Sequence, residues 1–179
     1  NHYLPKSVAV VAAEVAAEDF DARFSASGKL YRYQIWNAAV RSPQHQVNHW
    51  HVAHPLDIAA MQVAAACLIG RHDFRAFRAA DCERRTTVRL MRRIDIKRHV
   101  PTAVLPEQAV VHIEVSATAF LKNMVRILSG TLIQVGKGRM TAQQVAEALE
   151  KGDRTLAGPT APAHGLTLIA VEYGPRIGY

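Results

Sequence analysis

The stretch from Val110 to Gly138 limits the possible folds more than any other, because an alternating apolar run passes without punctuation into a helical pattern. Val111, Ile113, Val115 and Ala117 recur at period two, as in a strand with one buried face. From Phe120 onward the period changes. Leu121, Met124, Val125, Leu128, Leu132 and Val135 form one apolar helical stripe. Lys122 and Arg126 sit a turn apart on a second face, which Gly130 and Lys137 continue. Cations in the first turn of a helix oppose its macrodipole. An anion from elsewhere, a buried carboxylate or a phosphate, would compensate them; the other reading of the same residues is a solvated basic face. Gly136-Lys-Gly138 ends the pattern; a phosphate-binding glycine loop would open a helix instead, so these glycines read as a C-cap.

The flanking sequence completes a sheet. Val88 to Arg98 reads as a strand with Leu90, Ile94 and Ile96 on one face, joined through a proline-containing loop (His99 to Gln108) to the strand Val110 to Ala119. Leu30 to Trp36 is rich in aromatic and β-branched residues; Tyr31, Tyr33 and Ile35 share one side, and Leu30, Arg32, Gln34 and Trp36 the other. Ser7 to Val15 leans towards strand, and Leu166 to Tyr173 alternates as a last one. A helix is expected over Leu56 to Ile69, with Pro55 at its first position, Asp57 in its first turn and Gly70 at its stop. Thr141-Ala-Gln-Gln144 has the form of a capping box opening a helix that runs to Gly152, with Met140 and Val145 as its hydrophobic staple. Ala38 to His54, His72 to Arg85 and Gly158 to Ala163 read as loops. The order β, β, α, β, β, α, α, β predicts an α+β fold: one mostly antiparallel sheet with helices packed on one face, in a single domain over residues 1–179.

A formal net charge of +7 points to polyanionic partners. Arg71, Arg75, Arg78, Arg84 and Arg85 interleave with Phe74 and Phe77, a pattern that suits RNA, although the phenylalanines read better as core anchors. His49, His51 and His54 cluster around Trp50; exposed loop histidines are the better reading than a metal site, which needs further ligands. Cys67 and Cys82 form neither a C-x-x-C pair nor a metal spacing, as expected of free thiols in a reducing cytoplasm. No signal peptide or membrane-length apolar run is read. The first residue is Asn1 rather than Met, which suggests a piece of a longer protein.

Several ordered stretches together resemble the tRNA pseudouridine synthase A family. They are Asn1-x-x-Leu4-Pro5, Phe20-x-Ala22-Arg23-Phe24-Ser25-Ala26, Tyr31-Arg32-Tyr33, Pro55-Leu56-Asp57 and His72-Asp73-Phe74-x-x-Phe77-Arg78. Ala119-Phe120-Leu121, Met124-Val125-Arg126, Gly130-Thr131-Leu132, Asp153-Arg154-Thr155 and Gly158-Pro159-Thr160-Ala161-Pro162-Ala163-x-Gly165-Leu166 follow. Each is weak alone; the ordered set spans nearly the whole chain. The resemblance implies isomerisation of uridine to pseudouridine in the tRNA anticodon stem-loop, without cofactor or metal, by a homodimer. It implies a fold of two related α/β halves whose sheets join around an RNA cleft. It also implies site roles. Tyr31 matches the tyrosine that stacks on the target uracil and is a candidate for moving a proton. Arg126 matches the arginine paired with the catalytic aspartate. Leu166 matches an apolar pocket residue. Arg23, Arg78 and Lys122 are the candidate RNA contacts.

The sequence departs from the family in one important place. The nucleophile motif Arg-Thr-Asp-x-Gly-Val-His is absent; Arg85-Thr86 is followed by Thr87. The chain is therefore expected to be the C-terminal portion of a synthase, to need the half carrying the aspartate, and to be inactive alone. Asp21 stands where the family often has His, and Lys122-Asn123 where it often has His-His, leaving a basic rather than a titratable face. Two other readings use the same residues. One is a non-catalytic basic module that grips structured RNA. The other, less favoured, is a metal hydrolase built on His49, His51 and His54.

Overall fold

The computed structural model describes residues 1–100 and 108–174. Six strands form one sheet: β1 (Gly28–Asn37), β2 (Trp50–Val52), β3 (Gly70–Asp73), β4 (Val88–His99), β5 (Ala109–Ala117) and β6 (Leu166–Glu172). Three helices accompany them: α1 (Ile58–Ala66), α2 (Met124–Gly136) and α3 (Ala142–Lys151). The strands lie in the order β2-β1-β5-β4-β3, and β6 also pairs with β1. Every pairing is antiparallel except the short parallel one between β1 and β2. The fold is α+β, as the pattern predicts, and the hairpin of β4 and β5 feeds directly into α2.

Inward faces follow the alternation with one correction. Val111, Ile113, Val115 and Ala117 are fully buried. On β4 the inward residues are Met91, Ile94 and Ile96, not Leu90. A bulge between Met91 and Arg93 shifts the register, so period two breaks where the sequence reading carried it through. Phe74 and Phe77 are fully buried core anchors.

Helix boundaries are shorter than expected. The Asp57 carboxylate accepts from Ala60 N at 2.9 Å, so α1 begins at Ile58 rather than at Leu56. Its end tightens through bonds from Leu68 N to Ala65 O and Ile69 N to Ala66 O. The capping box of Thr141 and Gln144 forms, and Met140 and Val145 both join the core. α2 begins at Met124, not Phe120, because Asn123 takes a left-handed conformation with φ 59°. Lys122 therefore stands outside the helix and shares no helical face with Arg126. α2 is also more than an amphipathic stripe. Ile127, Ser129, Gly130, Thr131 and Ile133 are buried together with the predicted residues. The helix lies in the middle of the core and not at its edge.

Two loops contain strands that the sequence hides. β2 sits in the expected loop Ala38 to His54, where the Asn37 amide donates to Val52 O and His54 O, each at 2.8 Å. β3 occupies the start of the expected irregular stretch, paired with β4. Ser7 to Val15 forms no strand, because no strand among the described residues lies alongside to take its hydrogen bonds. The Asn1 side chain instead bonds both the N–H and the C=O of Val10. Val11 and Val15 are fully exposed. The loop His99 to Gln108 lies mostly outside the described residues.

The segment Gly158–Gly165 crosses the first half of α2 as a strap. A Cβ on Gly130 would come within 1.8 Å of Pro159 O, and one on Gly158 within 2.6 Å of Thr131 Cα. Thr131 Oγ1 accepts from Gly158 N and donates to Ile127 O, each at 2.8 Å. Gly130→Ala is expected to cost about 3 kcal/mol in urea unfolding, because backbone must move to admit one methyl group. The neighbouring Ser129 hydroxyl is buried without a partner among the described residues, so Ser129→Ala should change stability by less than about 1 kcal/mol.

The outward face of the sheet is charged. Arg32 donates to Glu114 through Nε and Nη2, and His112 lies alongside. Burial, helped by the charges of Arg32, His99 and His49 and opposed by Glu114, lowers the His112 pKa from its ordinary 6.5 to about 4. The folded state thus disfavours the proton that the unfolded state binds. Stability from this group is complete above pH 6.5 and is lost as pH falls towards about 4. Thermal melting of the wild type should drop across that window, and His112→Asn should flatten the drop; an unchanged slope in the variant would contradict the assignment.

Candidate functional site

Alternation along β1 places Tyr31, Tyr33 and Ile35 on the helix-facing side of the sheet. Tyr31 sits opposite Val115 of β5 and Leu168 of β6. The β6 register shifts between Leu30 and Tyr31, so a bulge lies beside this side chain. Phe120 meets the Tyr31 ring edge-on, with centroids 5.1 Å apart. Tyr31 and Phe120 form the aromatic wall of a cleft of about 660 Å³. Its other walls carry the cations Arg23, Lys29, Arg84 and Lys122 and the carboxylates Asp81 and Glu83.

Lys122 and Asp81 form an ion pair across the cleft. The Lys122 hydrogen bond holds the Asp81 carboxyl below the usual range, and Asp81 raises the lysine in turn. Ala79 N donates to Lys122 O at 3.0 Å, tying the two segments together. Both side chains are more than half exposed, so the pair contributes little to stability. It can exchange for a pair with phosphate.

Arg126 is the third residue of α2. Its Nε donates to Ala161 O at 2.7 Å and its Nη1 to Asn123 Oδ1 at 3.1 Å, while Ala161 N donates back to Arg126 O at 3.1 Å. The strap thus fixes both its backbone and its guanidinium. No ion pair among the described residues includes Arg126. The expected neighbouring cation, Lys122, is occupied elsewhere.

Tyr33 joins these parts. It is fully buried, and its hydroxyl donates to Pro162 O at 2.6 Å, next in the chain to the carbonyl that Arg126 grips. Burial pushes the Tyr33 pKa well above its ordinary value, opposed by the charge of Arg126. Leu166 lies opposite Tyr33 on β6, half-buried against the core. Tyr31 is two residues along β1 on the same face.

The structure therefore places Tyr31, Arg23 and Lys122 in one cleft, and Arg126 and Leu166 around Tyr33 next to it. Arg126 and Leu166 do not line the cleft itself. Arg78 is not in it either; it is half-buried and caps the short turn Arg75–Phe77. Sequence reasoning missed Tyr33, Phe120 and Asp81 as parts of this neighbourhood. Gly130 within a helical run was the available sign that another backbone packs there.

Of the three histidines considered for a metal, His51 and His54 are exposed and His49 is half-buried. No group of three or more His, Cys, Asp or Glu side chains among the described residues is placed to hold a metal ion. No helix among the described residues is long and apolar enough to cross a membrane.

Comparison with known proteins gives the family. A sequence model of the tRNA pseudouridine synthase family matches residues 64–174. A tRNA pseudouridine synthase A of Myxococcus xanthus is 50% identical over 173 residues, covering 97% of this chain and 63% of that protein. Its counterpart in Pelobacter propionicus is 47% identical, covering 97% of this chain and 68% of that protein. That of Chloroflexus aurantiacus is 49% identical, covering 99% and 62%. The chain thus spans about two thirds of the length of these curated relatives, and it belongs to the tRNA pseudouridine synthase A family.

Proposed function

We propose that this chain is the C-terminal portion of an enzyme that isomerises uridine to pseudouridine in the anticodon stem-loop of tRNA, at closely spaced positions on the 3′ side of the loop and the adjoining stem. The observation that carries this reading is Arg126, held by Ala161 and Asn123 at the start of α2 with no carboxylate paired to it among the described residues. A guanidinium so fixed is prepared for a bidentate carboxylate. The nucleophilic aspartate belongs to a motif absent from this sequence, so it comes from the remaining part of the protein.

In the reaction, the C1′–N1 glycosidic bond breaks, the uracil turns while held, and C5 bonds to C1′. The proton on C5 is lost and N1 gains one. The uridine leaves its stack and enters a closed pocket. The aspartate carries the covalent step, and Arg126 keeps it ionised and oriented. Tyr31, with Phe120 against its ring edge, stacks on the uracil and is the candidate for proton movement. Leu166, opposite Tyr33 next to the cleft, is the candidate apolar contact at its inner end. Arg23 and Lys122 meet phosphates in the cleft, with Asp81 holding Lys122 until RNA arrives; Arg78 is a more distant contact. The active species is a homodimer, and the chemistry requires no cofactor.

A second reading, a non-catalytic RNA-binding module, is favoured by the missing aspartate motif. The coding sequence upstream of Asn1 separates the two: an open frame with the motif supports the synthase, and a start at this point supports the module.

The pure 179-residue chain should release no tritium from tRNA labelled at uridine C5; turnover would contradict the division of the site. In the protein that carries the aspartate motif, Arg126→Ala should reduce turnover at least about a hundredfold by leaving a buried carboxylate unpaired. Its tRNA affinity should fall only modestly. Near-normal turnover would overturn the role given to Arg126.

A further inference from the structure

A second cavity lies at the other end of β1. It has a volume of about 280 Å³ and is walled by the indoles of Trp36 and Trp50 and the imidazoles of His45, His49, His51 and His164, with Arg41, Ser42 and Gln46 at its rim. The rings are arranged by position. His45 lies flat on Trp36 at 4.3 Å with an interplanar angle of 8°, and His49 meets His45 edge-on at 4.7 Å. His45 Nδ1 is hydrogen-bonded to Ser42 Oγ at 2.9 Å, which sets its ring plane. Trp36 Nε1 donates to Val40 O, and the indole is buried with His45 on its face, so Trp36 is the base of the ring stack and a ligand meets His45, His49 and Trp50 above it.

We propose that this cavity is a binding site for a single unpaired nucleotide of an RNA chain, its base seated among the imidazole and indole rings and its phosphate at Arg41. Three properties select that ligand. Flat aromatic walls accept any base by stacking. The stack of His45 on Trp36 holds the imidazole plane fixed, as a stacking wall requires. The lining carries Arg41 and four imidazoles and no carboxylate, and Lys137 lies over the Trp50 ring at 5.8 Å. A cage for an organic cation would have the opposite charge. The volume suits one base with its sugar and excludes a duplex.

The cavity adjoins the site described above. Trp50 packs edge-on against Tyr33 at 6.3 Å, and His164 of the strap is hydrogen-bonded to His49 O at 3.1 Å. A nucleotide held here would touch the same strap that fixes Arg126. The RNA identity of the ligand rests on the proposed function; the stacking site itself rests on the rings and charge.

The chain has only two tryptophans, and both line this cavity, so tryptophan emission excited beyond the tyrosine absorption reads the site. The 179-residue chain is titrated with short single-stranded oligouridylate, following tryptophan emission together with the anisotropy of a labelled copy of the same RNA. Expected is saturable quenching with the same midpoint as the anisotropy change. His49→Ala should weaken both about tenfold, the loss of one stacking partner. Arg41→Gln, on the exposed rim, should weaken them several-fold without risk to the fold. Anisotropy change without quenching, or full affinity in a folded Arg41→Gln and His49→Ala, overturns the site and leaves the proposed function standing. No anisotropy change with oligouridylate overturns the site, and the proposed function is then judged by the protein carrying the aspartate motif. Quenching by choline with RNA silent shows a cation cage and likewise overturns the proposal.

Discussion

The candidate site depends on one crossing of backbone over backbone. The strap Gly158–Gly165 can reach α2 only because Gly130 and Gly158 carry no side chain where the two chains meet. That contact brings Ala161 to Arg126 and Pro162 to Tyr33. The two carbonyls, adjacent in the chain, hold a guanidinium at a helix start and a phenol inside the core. A cation at that helix position gains nothing from the macrodipole. The strap carbonyl and Asn123 supply part of the negative partner it needs, and the rest of its charge stays free for a ligand.

Cations outnumber carboxylates in the surroundings. The cleft beside Tyr31 carries four cations against two carboxylates, and one of those carboxylates, Asp81, occupies Lys122. The edges of the described chain are apolar and uncovered. Leu168 and Ile169 of β6 are 47% and 40% exposed, and valines of the first fifteen residues stand in solvent. Curated relatives are longer by about a third of their length. Apolar surface of this kind favours a covering partner.

Much of the fold was legible because its signals are local. The period-two run of β5, its switch to a helical period, the capping box at Thr141 and the burial of Phe74 and Phe77 all follow from side chains within a few residues of one another. The misreadings share a cause, which is that the deciding partner lies far away in sequence or in one backbone angle. Ser7 to Val15 has strand-forming valines but no neighbouring strand among the described residues. β2 is three residues long and exists because β1 offers it a parallel edge. A bulge turns Met91 inward in place of Leu90. The left-handed Asn123 separates Lys122 from Arg126, although the apolar stripe continues across it. The resemblance proposes Arg126, Tyr31 and Leu166 as site residues; the contacts of Tyr33 with the strap that holds Arg126 depend on Pro162, far away in sequence.

The central claim is that Arg126 is a fixed fork awaiting a carboxylate and not simply a positive charge near RNA. Arg126→Lys in the protein carrying the aspartate motif separates these, because lysine keeps the charge and loses the planar two-point geometry. The deciding measurement is single-turnover pseudouridine formation on a tRNA substrate at saturating enzyme. The account predicts that the lysine variant binds tRNA nearly as well as wild type but loses most of its turnover. Turnover equal to wild type would show that charge alone suffices and would contradict it.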